Sequence, residues 1–384
     1  MSVTEQPAGI AFAVLQPPRR YLFGPGPTMV HPRVYEALSK PIVGHLDPYF
    51  IEVMHDVQQL LKAPYGVREG ATLVISGTGS AGMEAAVANF IDAGTKLAVF
   101  ANGYFSDRLT EMAKRNGANI VRFEKSWGET YSDDEARDFI RRERPQVVAF
   151  VHAETSTGAL QPGRAICEAA HEAGALVIGD CVTSLGGLPV EFDKTGIDVA
   201  YSCTQKGVSC PPGLSPMAMS QRAMEFLRNR TTSPRSWYLD LKLIHDYSTV
   251  SHRYHHTAPI SMFYALREAL MVIAEEGVEN RWERHRKCSK LFVNGVEALG
   301  LKMHVPEQHR IPTLNTVCVP AGIEEGKVRK RLLDGPGIEI AGGFGPLTGK
   351  VFRIGVMGPL ATADNVQFFL SEFKKALKAE GHSI

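Results

Sequence analysis

Short apolar runs recur along the chain, each followed by a polar loop and then by a stretch whose apolar positions fall at helical spacing. The runs are Ala71–Ser76, Lys96–Ala101, Gln146–His152, Ala175–Asp180 and Val199–Ser202. They lack the apolar–polar alternation of a half-exposed strand, so they predict strands buried on both faces. Helices are predicted between them at Ala81–Ile91, Phe105–Asn116 and Gly163–His171. Strand and helix in alternation indicate an α/β chain. Its mostly parallel sheet is covered by helices, and the loops at the strand C-terminal ends form the ligand crevice.

Further on, Phe263, Leu266, Leu270 and Ile273 repeat at helical spacing, and Gly277 marks a stop before another helix from about Asn280. The remainder predicts strands near Asn315–Val319 and Val351–Ile354 and a closing helix from about Asn365. There is no internal repeat. The expected division is an N-terminal extension (1–20), a large ligand-binding domain (21–278) and a small C-terminal α+β domain (279–384). A chain of 384 residues suits two units, because single cores stop growing at roughly 250–300 residues.

Apolar residues make up 44% and charged residues 22%, near the average for soluble globular chains, and the formal net charge is +1. That balance leaves no electrostatic footprint for nucleic acid or an anionic membrane. The apolar run Ile10–Leu15 is too short to cross a bilayer and has no basic segment before it, so neither a signal peptide nor a membrane span is expected. Six cysteines occur singly, without the paired spacing of a zinc ribbon or redox motif, which points to a reducing compartment, here the cytoplasm. The ending Gly381-His382-Ser383-Ile384 lacks the Ser-Lys-Leu form of a peroxisomal address.

Gly77-Thr78-Gly79-Ser80-Ala81-Gly82 follows a predicted strand and opens a predicted helix, matching the G-x-G-x-x-G dinucleotide pattern. That pattern also needs an acidic residue about 20 positions on to hold a ribose. Ala101-Asn102-Gly103 stands there instead, which demotes a nicotinamide enzyme. What remains is a helix start whose N–H groups and dipole, worth about 0.3–1 kcal/mol, suit the phosphate of any ligand. A tight turn that needs small residues is the plainer explanation.

Asp180 ends an apolar run, and Lys206 follows the next predicted strand in Cys203-Thr204-Gln205-Lys206-Gly207, so both emerge on one rim of the sheet. A carboxylate with little water around it needs a partner. An Asp–Lys ion pair would satisfy that. Pyridoxal 5'-phosphate accounts for the glycine loop as well: lysine as Schiff-base amine, aspartate beside the pyridine nitrogen, helix start at the phosphate. Once freed, the Lys206 amine is placed to move the substrate's α-proton.

Seven ordered segments then resemble the class V, fold-type I aminotransferases, in particular their alanine–glyoxylate (serine–pyruvate) branch. They are Phe23-Gly24-Pro25-Gly26-Pro27, Leu73-Val74-Ile75-Ser76-Gly77-Thr78-Gly79, Glu154-Thr155-Ser156-Thr157-Gly158, Ser184-Leu185-Gly186-Gly187, Gln205-Lys206, Tyr254-His255-His256-Thr257 and Gly349-Lys350-Val351-Phe352-Arg353-Ile354-Gly355. The resemblance implies that Thr78, Gly79, Ser80 and Gln205 hold the phosphate, Phe105 stacks on the ring, Val182 packs beneath it and Ser156 bonds near the ring oxygen. It further implies that Tyr254 and Thr257 reach the phosphate from a second subunit, making a homodimer with shared sites. His255 and His256 are then structural, since adjacent loop histidines without a carboxylate cluster make a poor metal site.

Arg353 lies among Val351, Phe352 and Ile354, where a lone guanidinium needs an anion. A substrate carboxylate binds one through two parallel hydrogen bonds; an internal acid is the other reading. Gly26 and Ser156 join Arg353 as expected substrate contacts. The implied reaction moves an amino group from alanine or serine to glyoxylate or a similar 2-oxo acid, in ping-pong order. 2-Aminoethylphosphonate and other class V transaminases would read almost identically. Cysteine desulfurases share the fold but need a cysteine on a small-domain loop, and none stands between Asp334 and Lys350.

Overall fold

The computed structural model describes residues 15–383, so most of the N-terminal segment 1–20, including nearly all of the apolar run Ile10–Leu15, lies outside the described residues. A seven-stranded sheet forms the centre: β1 Ala71–Ser76, β2 Lys96–Ala101, β3 Asn119–Glu124, β4 Val147–Val151, β5 Leu176–Asp180, β6 Val199–Tyr201 and β7 Leu214–Met219. Their spatial order is β1-β7-β6-β5-β4-β2-β3. All pairings are parallel except those of β7, which runs antiparallel to both β1 and β6. This is the mostly parallel α/β sheet that the apolar runs predict.

Alternate residues of each strand serve opposite faces, and both faces are dry. Val74, Phe100, Val148 and Val177 join one core with the helices Pro48–Tyr65 and α3 (Ile260–Glu276). Leu73, Val99, Ala149 and Ile178 join the other with α1 (Gly79–Phe90) and α2 (Tyr104–Arg115). Every position of β4 and β5 is buried, which explains why neither shows a polar alternation.

Two strands of this sheet are absent from the sequence expectation. β3 is an edge strand of Asn-Ile-Val-Arg-Phe-Glu, half polar and nowhere fully buried. β7 contains Pro216, and proline is normally confined to sheet edges because it donates no ladder bond. The sheet tolerates it through a substitute donor. Ser202 N–H bonds to the Pro216 carbonyl at 2.8 Å, and the Ser202 carbonyl accepts the Ser215 hydroxyl at 2.6 Å where a ladder N–H would stand.

Gly277, with φ +81°, ends α3, and α4 (Val278–Ala298) begins at the next residue. A second, antiparallel sheet follows in the order β8-β10-β9, from Leu314–Cys318, Val351–Gly355 and Ala341–Gly342. Phe292 of α4, Leu332 of α5 (Glu325–Asp334) and Phe369 of α6 (Ala363–Ala379) form its core with Phe352 and Ile354. Phe23 belongs to this core too, because Tyr21–Leu22 pairs in parallel with Ile338–Glu339. Among the described residues no helix is long and apolar enough to cross a membrane.

Candidate active site

The central sheet brings three functional features to one edge. β1 runs into Gly77, and α1 starts at Gly79 with Thr78 as N-cap, yet the Thr78 side chain makes no capping bond. The first N–H groups of that helix are therefore left for a ligand. β5 ends at Asp180, in register with Tyr201 at the end of β6. The loop after β6 carries Gln205 and Lys206. Thr78, Gly79, Ser80, Phe105, Asp180, Val182, Gln205 and Lys206 all line one cleft of about 210 Å3, so the residues expected at a phosphate and at a ring share a single space.

Asp180 is 1% exposed. Its two oxygens accept the Val182 N–H and the Tyr201 hydroxyl, each at 2.9 Å. Burial pushes its carboxyl up to about 6, against those hydrogen bonds and the nearby Lys206. The carboxylate thus has cause to bind a cation. Burial lowers the Lys206 ammonium, whose amine donates to the Pro25 carbonyl. Gly26 lies against the lysine stem with φ +116°. A Cβ there would stand 2.6 Å from the lysine Cδ, so a larger residue would strain the backbone and displace the lysine stem.

Phe105 sits on the first turn of α2, with the Arg108 guanidinium 4.9 Å above its ring. Arg108 also donates to the Ser80 hydroxyl at 3.1 Å and lines the cleft, a role given it by no motif. Its one signal is spacing: three residues after Phe105, it falls on the same face of the helix. Glu154 opens the segment Glu154-Thr155-Ser156-Thr157-Gly158, where residue type and spacing assign it no function. It is fully buried, and its carboxylate accepts the Phe105 N–H at 3.1 Å, the Ser156 N–H at 3.0 Å and the Ser156 hydroxyl at 2.6 Å. Burial pushes it up to about 7, opposed by those same donors. Three donors around two oxygens favour the ionised form.

Ser156 is fully buried and engaged with Glu154 and with the Tyr104 N–H, and it stands outside the lining of the cleft. Arg353, on β10, is 3% exposed. It donates through Nε to the Gly342 carbonyl at 2.7 Å and lies 3.9 Å over the Phe344 ring. Nη1 reaches the Thr155 carbonyl at 3.4 Å. Burial lowers this guanidinium to about 10, and Glu154 acts in the opposite sense. Its hydrogen bonds go to carbonyls, which leaves its positive charge without a bonded anion among the described residues.

Tyr254 and Thr257 are exposed and do not line the cleft of their own chain. Between them, His255 stacks on Trp237 at 4.3 Å and its Nδ1 meets that of His256 at 2.8 Å. His256 bonds through Nε2 to the Ser76 hydroxyl at 2.6 Å. The pair braces the end of β1.

The model of the Aminotransferase class-V family matches residues 20–368. The chain is 36% identical over 373 residues to an alanine–glyoxylate aminotransferase of Callithrix jacchus, with 95% of this chain and 90% of the relative covered. It is 36% identical over 378 residues to an (S)-ureidoglycine–glyoxylate transaminase of Bacillus subtilis (strain 168), covering 94% and 91%. The crystal structure of an alanine–glyoxylate aminotransferase from Nostoc sp. superposes with a TM-score of 0.94 at 44% identity, covering 96% and 98%. Where sequence, fold and a cleft joining a buried amine to a buried carboxylate agree over nearly the whole length, the chain belongs to the class-V aminotransferases, enzymes of fold type I.

Proposed function

We propose that this aminotransferase holds pyridoxal 5'-phosphate through Lys206 and passes the amino group of alanine or serine to glyoxylate or a similar small 2-oxo acid. The observation that carries it is the single cleft shared by the Lys206 amine, the Asp180 carboxylate and the uncapped start of α1. The donor set fits that coenzyme. An amine, a buried acid, a helix start and an aromatic face suit its aldehyde, ring nitrogen, phosphate and ring. When bound, the coenzyme supplies an electron-accepting ring and a carbon that takes the amino group.

The protein's own part is acid–base chemistry and orientation. Lys206 Nζ takes the proton from the substrate Cα and delivers it again, which its lowered basicity favours near neutral pH. Asp180 keeps a proton on the ring nitrogen. Arg353 receives the substrate carboxylate on a guanidinium already held from behind by the Gly342 carbonyl. Arg353→Lys is expected to raise KM about tenfold or more for every amino acid donor, because one ammonium cannot copy two parallel contacts. Steady-state kinetics decide it: an unchanged KM places the carboxylate elsewhere.

Tyr254 and Thr257, exposed in the single chain, are assigned to the partner's cleft in a homodimer. Mixing an inactive Lys206→Ala protein with an inactive Tyr254→Phe/Thr257→Val protein is expected to restore about a quarter of wild-type activity. Half the dimers are then mixed, with one complete site of two. No recovery after verified subunit exchange would confine each site to one chain.

We further divide the chain near residue 278, where Gly277 separates α3 from α4, and assign it to the reducing cytoplasm, which suits six unpaired cysteines. Absorbance on adding the coenzyme, followed by a panel of donors against glyoxylate and pyruvate, tests the whole reading. The panel includes (S)-ureidoglycine, because the transaminase named for it is as similar as the alanine–glyoxylate enzyme.

A further inference from the structure

α2 carries Phe105 and Arg108 into the cleft, yet its N-cap is Gly103, which has no side chain to accept the first N–H groups. The cap comes from elsewhere. The Phe105 N–H donates to Glu154 and the Tyr104 N–H to the Ser156 hydroxyl, which in turn donates to Glu154. Gly103 leaves the space for this, since a Cβ on it would overlap the Glu154 carboxyl group. The residue between the two caps, Thr155, offers its carbonyl to Arg353. The same two sides meet again through Phe344, whose ring contacts Tyr104 at 5.0 Å and Arg353 at 3.9 Å.

We propose that Glu154 is a positioning residue that joins the two halves of the active site. Its buried carboxylate caps α2, fixing the ring of Phe105 and the guanidinium of Arg108, and anchors the 154–156 loop that supports Arg353. A carboxylate at a helix start is well placed, and here three donors surround its two oxygens. Removing it frees the aromatic face and the carboxylate clamp together. The role rests on the cleft being the coenzyme site.

Three measurements test it. In coenzyme-free protein, amide hydrogen exchange of a peptide spanning residues 103–108 is expected to speed up in Glu154→Ala relative to wild type. In loaded protein, Glu154→Gln is expected to lower kcat and raise KM together, with kcat/KM down on the order of 10- to 100-fold. Its amide must turn a donor toward either Phe105 N–H or Ser156 N–H. The circular dichroism of the bound coenzyme should weaken in the same variant. If Glu154→Ala does not fold, Ser156→Ala, which removes the hydroxyl linking Tyr104 to Glu154 but keeps the Glu154 carboxylate on the Phe105 N–H, should show a smaller change in the same direction. Unaltered exchange, or a Glu154→Gln enzyme with wild-type kcat and KM, overturns the proposal. A wild-type protein that takes up no coenzyme overturns the reading of the cleft, and this role with it.

Discussion

Replacing Lys206 with alanine is expected to reduce turnover by about 10^3-fold or more and to remove the visible absorbance of the protein mixed with its coenzyme. A positioned proton-transfer group alone contributes about 10^2–10^4-fold, and this side chain is also the proposed attachment point. No neighbour replaces it. Of the other cleft-lining residues, Ser80, Thr78 and Gln205 do not titrate near neutral pH, burial raises the Cys203 thiol to about 12, which makes it a poor base, and the Asp180 carboxylate is tied to the Val182 N–H and the Tyr201 hydroxyl. Small free amines should restore part of the rate, because the space vacated beside Gly26 is amine-sized. A Lys206→Ala protein with an unchanged spectrum would refute the assignment.

Asp180→Asn is expected to slow proton abstraction by about 10^2–10^4-fold while leaving part of the coenzyme bound. The phosphate and stacking contacts are assigned to other residues, which would still support binding. What disappears is the charge. Burial has already pushed Asp180 up to about 6 against the pull of Lys206 and Arg108; beside a protonated ring nitrogen the carboxylate would be drawn further toward its ionised form. An asparagine offers no charge and must also direct its NH2 toward either the Val182 N–H or the Tyr201 hydroxyl, both of which donate to the native carboxylate. Stopped-flow measurement of α-proton loss with deuterated alanine isolates this step. Normal turnover in the variant would show that the ring nitrogen needs no acid partner.

The sequence revealed buried strands more readily than exposed or irregular ones, for a physical reason. β1, β2, β4, β5 and β6 are apolar on both faces, so a run of apolar letters is their whole signature. β3, at the edge with Glu124 exposed and Arg122 half-buried, resembles a loop by composition. β7 was hidden by Pro216, since its stand-in donor is a side chain whose target, Ser202, lies 13 residues away in sequence. The same distinction holds in the cleft. Asp180 and Lys206 announced themselves because each follows a strand, whereas Glu154 acts on Phe105 across 49 positions and Arg108 on Ser80 across 28. Partners joined only by folding leave no local pattern.

The proline in β7 constrains how this part of the chain can diverge. Ser215 must retain its hydroxyl while residue 216 is proline, and Gly82 of α1 must stay bare because a Cβ there would collide with that hydroxyl. Ser202, whose carbonyl receives the hydroxyl, begins the stretch that leads to Lys206. Positions 215 and 216 and the distant position 82 are thus bound to change in concert: a lineage that restores an ordinary residue at 216 frees 215 from its duty as donor, whereas bulk gained first at 82 opens the seam of the sheet beneath Lys206.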